Sequence, residues 1–314
     1  MAPAHSLAVD CTGFVESGAA IEAIHAYMRR LEASAAERRR RGEDVCDQDF
    51  PVEMFALRPV RTILAPLVLL GGMGPLAGAK GFARACSIFG ESREILLLQA
   101  CAIPDRTRAI LADARSQSGI SREHVALDDA LEAALREAIS HVTSTRRAID
   151  IIALCNAAHV FLPGVFARMR RDDVRLISLV ECLVDTLARR RPGPALILSS
   201  RGTRVSRLFT RRLDEAGVAY VEPSDRAQES LTRAIYGGLK ALDWETASVT
   251  GEEVVAELLA ANAGIGCIVA GCTEIPPILD LLKRTGRENL REKLARISII
   301  DPVELALAES AGAA

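Results

Sequence analysis

The chain has 314 residues, of which 49% are hydrophobic and 25% are charged, and its formal net charge is −2. This length allows two lobes or one large α/β domain, and the near-neutral charge gives no reason to expect a nucleic acid or an acidic membrane as a partner. Eight cysteines without a CxxC pair argue against a disulfide scaffold and a zinc ribbon. With neither a secretory signal nor an apolar run of roughly 20 residues, we expect a cytoplasmic protein with free thiols.

Residues 1–61 differ in pattern from the rest of the chain. Ile21, Ile24, Met28 and Leu31 recur at helical spacing, and the helix continues into the charged stretch "ERRRRGED". We interpret the arginine run as a solvated helix end. The sequence therefore predicts a helical N-terminal extension whose apolar stripe docks on the main body or on a second subunit.

From residue 62 onward, apolar strands alternate with helices. "TILAPLVLL" is a continuous apolar run that ends in "GGMGP", and Pro75 suits the first turn of a following helix. Further predicted strands are "EILLLQAC", "IDIIAL", "VRLISLV", "PALILSS", "AYVEP", "GCIVAG" and "ISIID". Predicted helices lie near 125–147, 160–171, 203–216, 226–240 and 251–263, from about 276, and from Pro302. This alternation predicts parallel sheets covered by helices.

Two pairs of strand–loop segments suggest an internal duplication. "LVLLGGMGP" is similar to "LILSSRGTR", and "IIALCNAAH" is similar to "CIVAGCTEI". We therefore expect an α/β fold of two similar lobes, each with a mostly parallel sheet flanked by helices and with the active site in the cleft between them. The N-terminal lobe should comprise 62–172 and 285–314, and the C-terminal lobe 173–284.

Cys155 and Cys272 each follow directly after a predicted buried strand. A thiol at a strand end can be a small packing residue, but the carboxyl ends of parallel strands are also where such folds place their chemistry. In two facing lobes both cysteines would reach one cleft. The remaining cysteines lack this context, and we interpret them as packing residues: Cys11, Cys46, Cys86, Cys101, Cys182 and Cys267.

Six segments in order resemble the aspartate/glutamate racemase family, on its aspartate racemase side. They cover roughly four fifths of the chain: "LLGGMGPLA", "IPDRT", "CNAAH", "RAIYGGLKA", "AGCTEIP" and "IIDPVELALAE". The resemblance implies cofactor-independent racemisation of an acidic amino acid, aspartate first and glutamate second. Because compact relatives are commonly dimeric, it also implies a homodimer.

Racemisation without a cofactor needs a base on one face of the α-carbon and an acid on the other. Thiols suit both roles, since their pKa can be moved through the neutral range; Cys155 and Cys272 would exchange these roles with reaction direction. Charge that develops on the α-carboxylate needs hydrogen-bond donors. We expect these from the loop Gly72, Met73 and Gly74, from the loop Gly202 and Thr203, and from the side chains of Asn156, Ser200, Thr203 and Thr273.

Arg106 and Lys240 match family positions associated with the substrate's side-chain carboxylate. A guanidinium group binds a carboxylate in two-point geometry, so an anionic substrate side chain is expected. Arg106 could instead pair with Asp105, and Lys240 could simply complement the dipole of a helix C-terminus.

Glu274 and His159 follow the two cysteines at short distances. Glu274 could tune Cys272, bind the substrate ammonium or cap the next helix. His159 lies about one helical turn after Cys155, and we interpret it as structural. "GGMGP" and "SSRGT" do not satisfy nucleotide-binding motifs, so both are read as loops for a small carboxylate.

Two departures from the family pattern leave other functions open. Ala157 stands where the family usually has threonine, which removes a donor worth about 1.5–3 kcal/mol, and the extension 1–61 has no counterpart in compact members. A related isomerase or decarboxylase acting through one cysteine on another small carboxylate is one alternative. The other is a protein that binds an acidic metabolite or a partner without turnover.

Overall fold

Two β-sheets organise the chain in the computed structural model, which describes residues 9–116, 119–144, 148–262 and 264–312. The first sheet contains β1 (Cys11–Phe14), β2 (Glu53–Leu57), β3 (Leu67–Gly71), β4 (Ile95–Gln99), β5 (Ile149–Ala153) and β6 (Val174–Leu176), in the order β1-β2-β4-β3-β5-β6. The second contains β7 (Ala195–Ser199), β8 (Tyr220–Val221), β9 (Cys267–Gly271) and β10 (Ser298–Ile300), in the order β10-β9-β7-β8. Neighbouring strands run parallel, apart from the antiparallel pair β2 and β4. The predicted fold class is therefore confirmed.

Helices cover the sheets and connect their strands. They are α1 (Ser17–Arg40), α2 (Pro75–Phe89), α3 (Arg106–Asp113), α4 (Arg122–Ser140), α5 (Leu162–Met169), α6 (Leu179–Arg190), α7 (Arg201–Val205), α8 (Thr210–Glu215), α9 (Asp225–Arg233), α10 (Trp244–Ala261), α11 (Ile275–Thr285), α12 (Glu288–Arg296) and α13 (Pro302–Gly312). Short 3₁₀ turns lie at Asp47–Asp49, Gly90–Ser92, Asn156–Val160 and Leu239–Ala241, and a π-helical turn at Ala234–Gly238. Among the described helices, none is long and apolar enough to cross a lipid bilayer.

The central strands are buried on both faces, as their uninterrupted apolar sequences predict. Every residue of β3, β4, β5, β7 and β9 is buried. On one face of the first sheet, Leu67 and Leu69 pack with α1 and α2, and on the other Val68 and Leu70 pack with α4 and α5. Burial of such side chains contributes roughly 1.5–3 kcal/mol each, and it fixes the strand ends that carry the candidate site.

The N-terminal segment is built into the first sheet. The apolar stripe predicted over residues 21–31 lies on α1, which packs on α2 and on the sheet rather than remaining free for a second subunit. Two strands that the sequence did not predict, β1 and β2, also belong to this segment, and β2 lies between β1 and β4. The segment is thus an integral part of the sheet as well as a helical extension.

The last strand differs from its expected place. We expected residues 285–314 to return to the N-terminal lobe, but β10 pairs with β9 of the second sheet, with Ile299 opposite Ile268. The outer edge of β9 would otherwise be open, and pairing satisfies its backbone groups. Helix α13 does reach back, and its Ser310 accepts a hydrogen bond from the buried guanidinium group of Arg93, which lies just before β4.

Candidate active site

The ends of β3, β5, β7 and β9 meet around one small cavity. Its volume is about 10 Å³, enough for about a single water molecule. The residues that line it are Met73, Arg106, Thr107, Cys155, Asn156, Ala157, Ser200, Tyr236, Lys240, Cys272 and Glu274. Both predicted catalytic cysteines and most of the predicted binding residues therefore come together, whereas Gly72, Gly74, Gly202, Thr203 and Thr273 lie behind the lining.

Cys272 follows β9 and hydrogen-bonds to a carboxylate. Its Sγ donates to Glu274 Oε2 at 2.9 Å, and Thr273 Oγ1 donates to the same oxygen at 3.3 Å. Burial and the Glu274 charge raise the pKa of the Cys272 thiol well above its usual value. Although Glu274 precedes α11, its side chain makes no capping hydrogen bond to that helix. Of the three roles considered for Glu274, contact with Cys272 is the one that the structure shows.

Cys155 follows β5 at the start of a 3₁₀ turn, and its surroundings are held by neutral hydrogen bonds. His159 Nδ1 donates to the Cys155 carbonyl oxygen at 3.0 Å, and its Nε2 accepts from the Leu179 amide at 3.2 Å. Burial lowers the pKa of His159 to about 4, so the ring is neutral at pH 7. Asn156 Nδ2 donates to the Ala270 carbonyl oxygen of β9 at 3.3 Å, which ties this loop to the second sheet. The structural interpretation of His159 is confirmed.

Arg106 and Lys240 both bind a carboxylate that the sequence analysis did not identify. Asp47, from the N-terminal segment, accepts at Oδ2 from Arg106 Nη2 and from Lys240 Nζ, each at 3.0 Å. Burial alone would raise the pKa of Asp47, but the charges of Lys240 and Arg106 hold it at about 2. The alternative pairing of Arg106 with Asp105 is wrong, since Asp105 caps α3 through the Arg108 amide at 2.6 Å.

Further contacts fix the two cations in place. Arg106 also donates to the carbonyl oxygens of Met73 at 2.9 Å and Pro104 at 3.0 Å. Lys240 lies in the irregular turn after α9, where its Nζ is 4.7 Å from the centre of the Tyr236 ring. Tyr236, which the sequence analysis also missed although it lies in "RAIYGGLKA", donates to Thr107 Oγ1 at 2.8 Å. Lys240 is therefore a buried site residue and not a surface lysine at a helix end.

The two glycine loops bring the lobes close together. A Cβ atom on Gly74, whose φ is +142°, would lie 1.8 Å from Glu274 Oε1, and one on Gly202 would lie 2.7 Å from Thr107 Oγ1. The Thr203 amide donates to Ser200 Oγ at 3.3 Å. The expectation that Thr203 offers its amide to a ligand is therefore wrong in this structure, while Ser200 does line the cavity.

Several polar atoms around the cavity are buried without a partner among the described residues. They are Arg106 Nε, Asn156 Oδ1 and Glu274 Oε1. An unpaired buried polar group costs about 1–3 kcal/mol, so a cavity lined by three of them points to a polar ligand. In the described part of the chain, no cluster of three or more His, Cys, Asp or Glu side chains could hold a metal ion.

Comparisons with known proteins agree with this geometry. The family model described as Asp/Glu/Hydantoin racemase matches residues 70–310. The fold is similar to that of an aspartate racemase from Picrophilus torridus, with a TM-score of 0.53 and 20% identity over 79% of this chain and 94% of that chain. It is also similar to a putative Asp/Glu racemase from Yersinia pestis, with a TM-score of 0.54 and 16% identity over 80% and 99%.

An aspartate racemase homologue from Pyrococcus horikoshii OT3 gives a TM-score of 0.51 and 16% identity over 80% of this chain and 99% of that chain. At these identities the likeness establishes a shared fold. The family match includes both cysteines, Arg106 and Lys240, whereas Asp47 lies before its first residue. Because that match spans well over half of the sequence, the chain belongs to the Asp/Glu/Hydantoin racemase family.

Proposed function

We propose that the protein inverts the α-carbon of a small α-amino acid by proton transfer between Cys155 and Cys272, without a cofactor. The observation that carries this proposal is that the two thiols line one small buried cavity. They reach it from strands of different sheets, so a substrate between them would have a thiol on each face of its α-carbon. A base and an acid in that arrangement are what inversion through a carbanion requires.

The hydrogen bond of Cys272 to Glu274 supports one assignment of the two roles. In this assignment Cys272 starts as the thiol, and Cys155 starts as the thiolate that takes the proton from the α-carbon. The electron pair of the broken C–H bond delocalises onto the α-carboxylate, and Cys272 then donates its proton to the opposite face. In this proposal the second Nδ2 hydrogen of Asn156 and the hydroxyl of Ser200, two residues of the cavity lining, donate hydrogen bonds as that charge develops.

The prediction of an acidic substrate, aspartate first and glutamate second, depends on Arg106 and Lys240 being available. Both form ion pairs with Asp47, so we propose the two-thiol chemistry independently of the substrate's side chain. Binding without turnover is the other candidate, favoured by Ala157, which lines the cavity without a hydroxyl group.

The proposal is tested by proton NMR of single-enantiomer amino acids in D₂O with no added cofactor. The panel contains alanine, serine, aspartate and glutamate, and the proteins are the wild type, Cys155→Ser and Cys272→Ser. We expect loss of the α-proton signal with formation of the opposite enantiomer in the wild type, and no enantiomer formation in either variant. Cys182→Ser, a cysteine outside the cavity, is the matched control and should behave as the wild type.

Enantiomer formation that persists in both cysteine variants would contradict the two-thiol mechanism. Binding of an amino acid without any exchange at its α-carbon would instead favour the binding protein.

A further inference from the structure

We infer that Asp47 takes the place of a substrate side-chain carboxylate, so that the protein acts on a small amino acid whose side chain carries no carboxylate. This inference rests on the proposed racemase function. It concerns the substrate subsite formed by Arg106 and Lys240, the two cations for which the sequence predicted an anionic partner.

The partner already present is an internal one. The Asp47 side chain is 6% exposed, and those of Arg106 and Lys240 are 2% and 5% exposed. One oxygen, Oδ2, binds both cations at 3.0 Å. Charge-assisted contacts of this kind are the stronger class of hydrogen bond, so a substrate carboxylate would have to displace a well-made ion pair.

The charges around the cavity are balanced without an acidic substrate side chain. Arg106 and Lys240 supply two positive charges, and Asp47 and Glu274 supply two carboxylates. A substrate carboxylate in the same subsite would face Asp47 in a buried setting, where juxtaposed like charges cost several kcal/mol.

Asp47 is held by the scaffold and does not lie on a loose lid. Arg39 of α1 donates to the carbonyl oxygens of Ala241 at 2.6 Å and Leu242 at 3.1 Å, which directly follow Lys240. Gln48 Nε2 donates to the Ile103 carbonyl oxygen at 3.2 Å. After Asp47 the chain enters β2 at Glu53, and β2 lies inside the first sheet. Withdrawal of Asp47 would require these contacts to break, so we treat it as a permanent part of the subsite.

The position of Asp47 in the sequence separates it from the family framework. The two cations lie within the matched region 70–310, and Asp47 lies outside it. A carboxylate of the N-terminal segment thus binds two cations that lie within the region matched by the family model. Alanine, and serine with its uncharged hydroxyl group, represent the expected class of substrate.

The test compares the full-length wild type with Asp47→Ala and Asp47→Asn. Glu43→Ala is the matched control, because the exposed Glu43 lies four residues before Asp47 and pairs with Arg38 at 3.0 Å outside the cavity. We expect the wild type to turn over aspartate at least about tenfold less efficiently than alanine or serine. Removal of the Asp47 charge should raise kcat/KM for aspartate about 100-fold, and added aspartate should raise the Tm of Asp47→Ala but not that of the wild type.

Two results would overturn the inference. One is wild-type turnover of aspartate as efficient as that of alanine and serine, and the other is an Asp47→Ala protein that neither binds nor turns over aspartate better than the wild type does. Should Asp47→Ala fail to fold, Asp47→Asn keeps the side-chain shape and carries the same comparison. If no protein exchanges an α-proton while calorimetry shows aspartate binding only to the Asp47 variants, the racemase proposal fails and the assignment of Asp47 stands.

Discussion

The two cysteine-bearing strand ends are similar in backbone and different in chemistry. β5 and β9 are both fully buried parallel strands, and a cysteine follows each of them. On the β9 side, Glu274 lies two residues after Cys272 and accepts a hydrogen bond from its thiol. On the β5 side, His159 lies four residues after Cys155 and binds only backbone groups. Two similar strand ends thus carry thiols in different surroundings, and in our proposal the residues just after them determine which thiol keeps its proton.

Arg106 adds to this asymmetry. Burial lowers the pKa of Arg106, but the negative charges at Cys155 and Asp47 raise it above its usual range. In our proposal, the cations Arg106 and Lys240 in the cavity lining favour a base at Cys155, and the carboxylate of Glu274 favours an acid at Cys272.

The largest effect should come from the cysteines themselves. Cys155→Ser and Cys272→Ser should each lower racemisation by about 10³-fold or more, since a positioned acid or base contributes roughly 10²–10⁴. The two variants should differ in D₂O: Cys272→Ser keeps Cys155 as the base and should exchange the α-proton of one enantiomer with retention, whereas Cys155→Ser should exchange only the opposite enantiomer, and more slowly, because its remaining thiol hydrogen-bonds to Glu274 and keeps its proton. NMR of each enantiomer measures this, and equal exchange in both variants would contradict the assigned roles.

Gly74→Ala should have the next largest effect. Its Cβ would lie 1.8 Å from Glu274 Oε1, so the carboxylate must move away from Cys272, and we expect kcat to fall about 100-fold. Gly42→Ala is the matched control, because Gly42 also has a positive φ, +77°, but a Cβ there meets nothing within 4 Å. Both variants should lose about 1–2 kcal/mol of stability, because alanine is strained at a positive φ. Chemical denaturation measures this loss. A Gly74→Ala protein with full activity would show that the Glu274 position is unimportant.

Glu274→Gln should change the pH profile more than the maximal rate. Burial and the negative charge of Glu274 both raise the pKa of Cys272, so removal of that charge should lower this pKa. In the direction that needs a Cys272 thiolate, the rise of kcat/KM with pH should move to lower pH. We expect a change of less than about tenfold in kcat, the value of one hydrogen bond.

The profile is obtained from polarimetric rates in both directions, with Glu304→Gln, a surface residue paired with Arg84, as the control. An unchanged profile in both directions would mean that Glu274 does not act on Cys272.

The sequence predicted the part of the site that depends on strand order and missed the part that depends on distant contacts. Parallel strands end at a common edge, so two strand-end cysteines could be placed in one cavity, and the resemblance added Arg106 and Lys240. Asp47 contacts residues 59 and 193 positions away, and it lies in a short irregular stretch between α1 and β2 that has no periodic pattern. The edge position of β10 was missed for a similar reason, because it depends on which strand of the second sheet would otherwise have an unpaired edge. The homodimer stays a prediction.

The smallest effect is expected from a substitution of His159, which tests the Cys155 side of the comparison between the two loops. His159→Phe keeps a ring but leaves the Cys155 carbonyl and the Leu179 amide buried without partners, which should cost about 1–3 kcal/mol for each group.

The pKa of His159 is about 4 in the folded protein against about 6.5 in the unfolded chain. The unfolded state therefore binds the proton first, so this contribution is present above pH 6.5 and is lost as the pH falls towards 4. The stability difference between the wild type and His159→Phe, measured by denaturation at pH 7.5 and 5, should shrink at the lower pH because phenylalanine cannot titrate. A constant difference would mean that folding leaves the pKa of His159 unchanged, and the neutral hydrogen bonds that distinguish the Cys155 loop from the Cys272 loop would then have to be reassigned.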